Sequence, residues 1–292
     1  MKVGIFFVAL CLGSAYSDMA GECDMAGFYL ELGCKAVPGT GNATCPDYFT
    51  CPDLHPDPKM CYYRGVAYAD GSTIPQTLIN NPCSQACRCR VSAESRFECA
   101  AVDCVEVFDG DLQQCVNTYD LDSCCSTGNV CGEAKGKGLQ ISIINSSHCN
   151  FSIAGLKTCE VDGKTYREGE SFEPKDTHKS CICTGEWNGT LDADYCRDIN
   201  CGIEIHYQEK LSENCAPVFI GSKRGCPISF SCPSPTSRVV RGNNLRGINS
   251  QCLFGNVTLT VGDEVTVSES CTKCICDVPP FVTCTMKNAC NE

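Results

Sequence analysis

Thirty cysteines in 292 residues constrain this chain more than any other feature. That density is well above ordinary usage, and in an oxidising compartment such thiols pair as disulfides. The start of the chain agrees with that compartment. Met1-Lys2 precedes an apolar run from Val3 to Leu12, and Ala15 and Ser17 stand at the −3 and −1 positions of a cleavage site. This predicts a secretory signal peptide over 1–17, because the apolar run is about 10 residues against the ~20 that a membrane span needs. No later stretch predicts a span, and Cys290-Asn291-Glu292 offers no hydrophobic tail for a lipid anchor. The expected location is secreted and extracellular. Cys11 leaves with the signal peptide, so 29 cysteines remain.

The Cys-x-Cys and Cys-x-x-Cys clusters read as disulfides rather than zinc or copper ligands, since none has a partner pair at zinc-ribbon spacing. Cys271-Thr-Lys-Cys274 lacks the βαβ context of a thioredoxin-like pair. No metal or cofactor is expected. The net charge is −12, and −13 once Lys2 is lost. Charge of this sign favours solubility and disfavours nucleic acid as a partner.

Three segments open alike. Cys61 is followed by Gly65, Tyr68 and Gly71; Cys159 by Gly163, Tyr166 and Gly169; Cys252 by Asn256, Leu259 and Gly262. The offsets are identical, and asparagine at Asn256 tolerates the left-handed backbone that glycine would take, with Gly255 beside it. Each opening leads to a cysteine cluster: Cys83, Cys87, Cys89, Cys99, Cys104; then Cys181, Cys183, Cys196, Cys201; then Cys271, Cys274, Cys276, Cys284, Cys290. The second lacks one member, and His178 stands in its place. These are leading halves. Trailing halves follow the first two, with Cys115, Cys124, Cys125 and Cys131, and with Cys215, Cys226 and Cys232. A third trailing half precedes them all: Cys23, Cys34, Cys45, Cys51. Its Cys-Pro-x-x-Phe-x-Cys-Pro run from Cys45 matches the run from Cys226.

The organisation read from these repeats is a signal peptide (1–17), a trailing half-module (18–52), a complete module (61–131), a glycosylated linker (132–158), a second module (159–232), a linker (233–251) and a leading half-module (252–292). The missing cysteines disappear together. The second module lacks the position of Cys83 and one member of the Cys124-Cys125 doublet, so the two positions read as partners, Cys83 with one doublet cysteine.

The pattern resembles the von Willebrand factor type C module, also called the chordin-like cysteine-rich repeat. The first unit carries all ten cysteines of that family, from Cys61 to Cys131. The resemblance implies Cys61–Cys89, Cys83–Cys124, Cys87–Cys99, Cys104–Cys125 and Cys115–Cys131. Carried to the second unit it implies Cys159–Cys183, Cys181–Cys196, Cys201–Cys226 and Cys215–Cys232, and in the N-terminal half Cys23–Cys45 and Cys34–Cys51. In the third leading half it implies Cys252–Cys276 and Cys274–Cys284. Cys271 and Cys290 lose their usual partners there and are expected to pair with each other. Cys149 is left over, a candidate interchain thiol for a disulfide-linked dimer.

The expected fold is small and disulfide-rich, mostly β and loop, an elongated tandem array of type C-like modules. Val257–Val261 and Val265–Val267 flank Gly262-Asp263-Glu264 and read as a hairpin. Trailing halves read as short loops with little periodicity. Segments of this size bury too little apolar surface to fold alone, and the cross-links, at roughly 2–4 kcal/mol each, make up the difference.

No catalytic or cofactor-binding set is legible. The histidines, His55, His148, His178 and His206, join no serine–acid constellation, and no phosphate-binding loop follows a strand. The chain reads as a non-enzyme. Glycosylation sequons start at Asn42, Asn145, Asn150, Asn188 and Asn256, which predicts exposed loops. Charge is uneven. Glu98–Glu133 holds eight acids and no Lys or Arg, while Asn214–Gly262 holds Lys223, Arg224, Arg238, Arg241 and Arg246 and no acid. The basic stretch suggests a sulfated glycosaminoglycan, or head-to-tail contact with an acidic end. Asp109-Gly-Asp111 matches no complete calcium loop.

The type C resemblance implies a secreted, non-enzymatic binding protein, taking an extracellular protein ligand such as a growth factor of the bone morphogenetic protein class, or a matrix component. A structural role in an extracellular matrix, mineralised or cuticular, is the alternative. The third leading half also resembles pacifastin-type serine protease inhibitors, which places a candidate inhibitor loop at Met286-Lys287. Its loop is one residue longer than the family's, and Thr272 stands where the family has Asn.

Overall fold

The structure, a computed structural model, describes residues 23–39, 43–54, 57–79, 81–92, 95–104, 115–131, 155–267 and 271–286. Among these residues short strands and loops dominate, with two α-helices, Ala26–Glu31 (α1) and Ile203–Ser212 (α2). No described helix is long and apolar enough to cross a membrane. The fold class is a small, disulfide-rich, mostly-β one.

Thirteen disulfides hold the described residues. The N-terminal half has Cys23–Cys45 and Cys34–Cys51. The first unit has Cys61–Cys89, Cys83–Cys124, Cys87–Cys99, Cys104–Cys125 and Cys115–Cys131. The second has Cys159–Cys183, Cys181–Cys196, Cys201–Cys226 and Cys215–Cys232. The last half has Cys252–Cys276 and Cys274–Cys284. Set beside the expected pairings, these are the same pairs. Cys271 is also disulfide-bonded, whereas Cys290 and Cys149 lie outside the described residues.

With Cys104 and Cys201 counted in the trailing halves that follow them, as Cys23 is in the N-terminal one, Cys83–Cys124 is the described bridge that joins a leading half to a trailing half. It closes a loop with a sequence separation of 41. By loop-closure entropy such a cross-link is worth about 4 kcal/mol. A Cys83→Ala, Cys124→Ala double variant is therefore expected to lose about that much stability in denaturant titration, with the other bridges intact. A loss below about 1 kcal/mol would show that packing alone fixes the two halves.

The repeated spacing has a structural cause in all three openings. Each first cysteine starts or lies in a two-stranded hairpin: Cys61–Tyr63 with Val66–Tyr68, Thr158–Val161 with Lys164–Arg167, and Gln251–Phe254 with Val257–Thr260. Seven residues on, Tyr68, Tyr166 and Leu259 face Cys61, Cys159 and Cys252 across the hairpin. Ten residues on, Gly71, Gly169 and Gly262 take φ of 80°, 92° and 95°, a region that glycine alone enters without strain. Their N–H groups donate to the carbonyls of Cys89, Cys183 and Cys276, the cysteines bridged to each opening. In the third hairpin the left-handed turn residue is Gly255 (φ 57°), and Asn256 is not among the positive-φ residues. The substitution is thus accommodated by a different turn geometry rather than by asparagine copying glycine.

Two expectations are corrected. Val257–Thr260 does not pair with the segment after Gly262. Its partner is Gln251–Phe254, through the two-residue turn Gly255-Asn256, while Glu264–Thr266 joins Thr272–Ile275 and Arg238–Val240. Gly262, tied to Cys276, turns the chain into a different sheet. Nor are the trailing halves plain loops. The N-terminal and second ones are each a helix followed by a hairpin: α1 with Lys35–Val37 and Tyr48–Thr50, and α2 with Ala216–Ile220 and Ser229–Ser231. Both helices start after a left-handed residue, Met25 (φ 66°) and Gly202 (φ 65°).

The halves pack against one another. A six-stranded sheet runs in the order Ser229–Ser231, Ala216–Ile220, Thr283–Met286, Thr272–Ile275, Glu264–Thr266, Arg238–Val240, and so combines the second trailing half, the 233–251 linker and the last leading half. Ala216–Ile220 and Thr283–Met286 are parallel, and the other pairs antiparallel. The N-terminal half seats Phe28, Tyr29 and Phe49 in one core with Ile203, Phe219 and Phe281. The buried Tyr29 hydroxyl donates to Val278 O at 2.6 Å and accepts from Phe281 N at 3.0 Å. One contact occurs twice. Pro52, after Cys51, lies against the turn residue Gly65, and Pro233, after Cys232, lies against Gly255. In each case a trailing half meets the hairpin turn of the leading half that follows it.

Candidate functional site

Among the described residues, buried polar groups gather where three halves meet. Glu31 ends α1 and is 5% exposed; Glu204 lies in the first turn of α2 and is 3% exposed. Gly202, at the N-cap of α2, has no side chain to satisfy the helix's unpaired N–H groups. Glu31 does so from elsewhere in the chain. Its two oxygens accept from Cys201 N at 2.7 Å and Ile203 N at 2.6 Å. A carboxylate at a helix N-terminus is also favoured by the helix dipole. Glu204 in turn accepts from Arg64 N, in the first hairpin turn, at 2.6 Å. Asn200 donates to the Tyr63 hydroxyl at 3.2 Å, and Gln208 bonds to Tyr62 N and Met60 O. The first leading half is thereby docked onto α2.

Burial sets the electrostatics here. It pushes Glu204 up to about 8, against the opposing hydrogen bond from Arg64 N and with a further push from Glu31. Glu31 is also raised, by burial first, with the N–H groups of Ile203 and Cys201 and the Arg64 charge pulling the other way. The pair therefore holds its protons at a pH where exposed carboxyls have lost them.

A cleft lined by Gly27, Leu30, Glu31, Arg64, His178 and Asn200, among others, opens beside this cluster. His178 is 5% exposed and its ring fills the space above Gly27, where a Cβ would lie 2.3 Å from Cγ. Its Nδ1 is 3.2 Å from Arg224 O, while Nε2 is buried with no hydrogen-bond partner among the described residues. Burial lowers its pKa, so the ring is neutral at pH 7. The placement explains the missing cysteine. Where the first unit joins its halves through Cys83–Cys124, the second joins His178 to the carbonyl two residues before Cys226.

The sulfurs of Cys201 and Cys226 lie near His178, but they form a disulfide and offer no thiolate to a metal. The same holds for the Cys104–Cys124–Cys125 and Glu213–Cys215–Cys232 groups.

The sequence-predicted positions are scattered. Asn188 is exposed, its amide oxygen accepting from Thr190 N and Oγ1 of its own sequon, and Asn256 is exposed at the third hairpin turn. Asn42, Asn145, Asn150, His55, His148, Asp109 to Asp111 and Lys287 lie outside the described residues. His206 is exposed on α2. The basic stretch is largely engaged within the chain. Lys223 pairs with Asp24 and Asp277, Arg224 with Asp24, Arg241 with Asp263, and Arg246 with Asp277. Met286 is hemmed by strands on both sides, opposite Thr272 and Ile220. An inhibitor loop must offer its own backbone to the protease as an extended edge, and Met286 has none to offer.

Sequence reasoning missed Glu31, Glu204, Arg64 and Asp263. Asp263 is wholly buried and accepts from Thr260 N (2.9 Å), Thr260 Oγ1 (2.9 Å), Gly242 N (2.9 Å) and Arg241 Nη1 (2.6 Å). Burial raises its pKa, but these donors together hold it at about 2.

No family model matches the chain, and no curated protein or solved structure does.

Proposed function

We propose that this chain is a secreted, non-enzymatic binding protein of the extracellular space, with type C-like modules that engage a growth factor of the bone morphogenetic protein class. The observation that carries the reading is repeated display on a cross-linked frame. The first and third openings each leave an aliphatic side chain exposed just after the hairpin turn, Val66 at 53% and Val257 at 43%, five residues after Cys61 and Cys252. The second opening has exposed Lys164 there. Apolar anchors presented on rigid elements are what binding surfaces are built from. The shifted carboxyls support the same reading, because Glu31, Glu204 and Asp263 each receive hydrogen bonds that hold separate segments together.

Surface plasmon resonance of the secreted chain against immobilised growth factors of this class tests the proposal. Saturable binding is expected, weakened about tenfold or more by Val66→Asp with Val257→Asp, while both variants keep the wild-type disulfides. No binding to any member of the class removes the growth-factor reading. Binding that is indifferent to both substitutions removes the hairpin tips from the contact.

A further inference from the structure

The linker between the second trailing half and the last leading half carries Arg238-Val239-Val240-Arg241-Gly242. Arg238–Val240 is a strand at the end of the six-stranded sheet and, among the described residues, pairs on one side only, with Glu264–Thr266. Every residue from Val240 to Gly247 is exposed, and Leu245 is 91% exposed. The Arg238 guanidinium bonds only to the carbonyls of Pro235 and Ser237 among the described contacts, and the Arg241 side chain is 67% exposed. A one-sided strand that begins at Arg238 and ends beside Arg241, three residues on, is already in the extended conformation in which a protease pairs with its substrate's backbone.

We propose that Arg241–Gly242 is a processing site for a secretory-pathway endoprotease with acid-lined pockets for arginine at the first and fourth positions before the cut. This rests on the secreted reading above. Water adds across the peptide bond: the C–N bond breaks, the hydroxyl goes to the Arg241 carbonyl carbon to give a carboxylate, and Gly242 N leaves as an ammonium.

The receiving group for that ammonium is in place. Gly242 N donates to the buried Asp263 carboxylate at 2.9 Å, and a Cβ on Gly242 would lie 1.8 Å from Gly262 O, so only glycine fits this seat. Cleavage turns a neutral donor into a charged one beside a carboxylate shielded from water, a stronger interaction than the amide makes. Arg241 must leave Asp263 for the protease pocket, and the new N-terminus takes over its charge. None of the thirteen described bridges crosses the cut, and the two pieces stay joined through the parallel pairing of Ala216–Ile220 with Thr283–Met286.

The full chain, with a C-terminal tag, is expressed in secretory cells with and without an arginyl-peptide chloromethylketone directed at such proteases. Its appearance in the medium tests the secreted reading separately. The purified uncut chain is then incubated with the purified protease, which tests the site whatever the route of export. Expected are two bands on a reducing gel, a new N-terminus Gly242-Asn243-Asn244, co-elution of both pieces on gel filtration, and loss of the cut in Arg238→Ala but not in Arg246→Ala. An uncut chain in the purified reaction overturns the proposal. So does a cut that persists in Arg238→Ala, which would mark simple nicking at an exposed arginine.

Discussion

Asp263→Ala is expected to loosen the junction of the 233–251 linker with the last leading half, at a cost of about 2–4 kcal/mol. The carboxylate is wholly buried and gathers four donors from two segments, and Arg241 is the only charged one. Alanine leaves those donors without an acceptor, which costs roughly 1–3 kcal/mol for each that water cannot reach. Hydrogen exchange at the amides of Gly242 and Thr260 reads this directly. Both are expected to exchange at least tenfold faster in the variant, and unchanged rates would show that Asp263 is not the tie. Acid should imitate the substitution. The Asp263 carboxyl is held at about 2 against an ordinary 3.8, so its contribution is fully present above pH 4 and is lost as pH falls toward 2. The alanine variant should lack that arm of its pH profile.

Glu204→Gln is expected to act in the opposite sense, stabilising the protein at alkaline pH. The Glu204 carboxyl titrates at about 8 in the fold against an ordinary 4.5, chiefly through burial. A raised carboxyl means that the fold favours the protonated form. Its contribution is fully present below pH 4.5 and is lost as pH rises through 8. Between pH 7 and pH 9 the wild type should therefore lose about 1 kcal/mol. His178 is depressed from 6.5 and already neutral in that window, so it adds nothing to the slope. Glutamine keeps an acceptor for Arg64 N and removes the titration. Denaturant titrations at pH 7, 8 and 9 should give a falling midpoint for the wild type and a shallower fall for the variant, which keeps the raised Glu31 carboxyl. Equal slopes would assign the alkaline loss to another group.

Covalent and local features of this fold were legible in the sequence, and contacts between distant segments were not. The loss of cysteines in pairs works as an inference because one partner of a bridge cannot vanish without stranding the other, and it pointed to Cys83 and the doublet, where Cys83–Cys124 lies. The glycine offsets could be read because Gly71, Gly169 and Gly262 need a backbone that other residues avoid. Helix α1 left a trace that cysteine spacing obscured. Met25, Phe28, Tyr29 and Leu32 recur at helical intervals and are all buried, but a six-residue helix between Cys23 and Cys34 is too short for periodicity to stand out. Glu31 left none. It caps a helix 170 residues away, and a single acid at the end of a short segment looks like any solvated one. The hairpin misassignment at Val257–Val267 has a similar origin. Alternation marks strands, but which strands pair depended on Gly255 and on the bond between Gly262 and Cys276.

The double contact of Pro52 with Gly65 and of Pro233 with Gly255 has a further consequence. Cysteine order groups each leading half with the trailing half after it. Packing groups each trailing half with the leading half after it, as 23–101, 115–196 and 201–286, and in the middle group Tyr119 N bonds to Gly169 O. The two groupings are offset by half a unit, as courses of brick are laid so that no joint runs through the wall. A fragment cut at the cysteine-repeat boundary, such as 159–232, would bare the faces of Ile203 and Phe219 that the N-terminal half covers and the edge that Thr283–Met286 occupies. The frame therefore resists division at the seams its own repeats suggest.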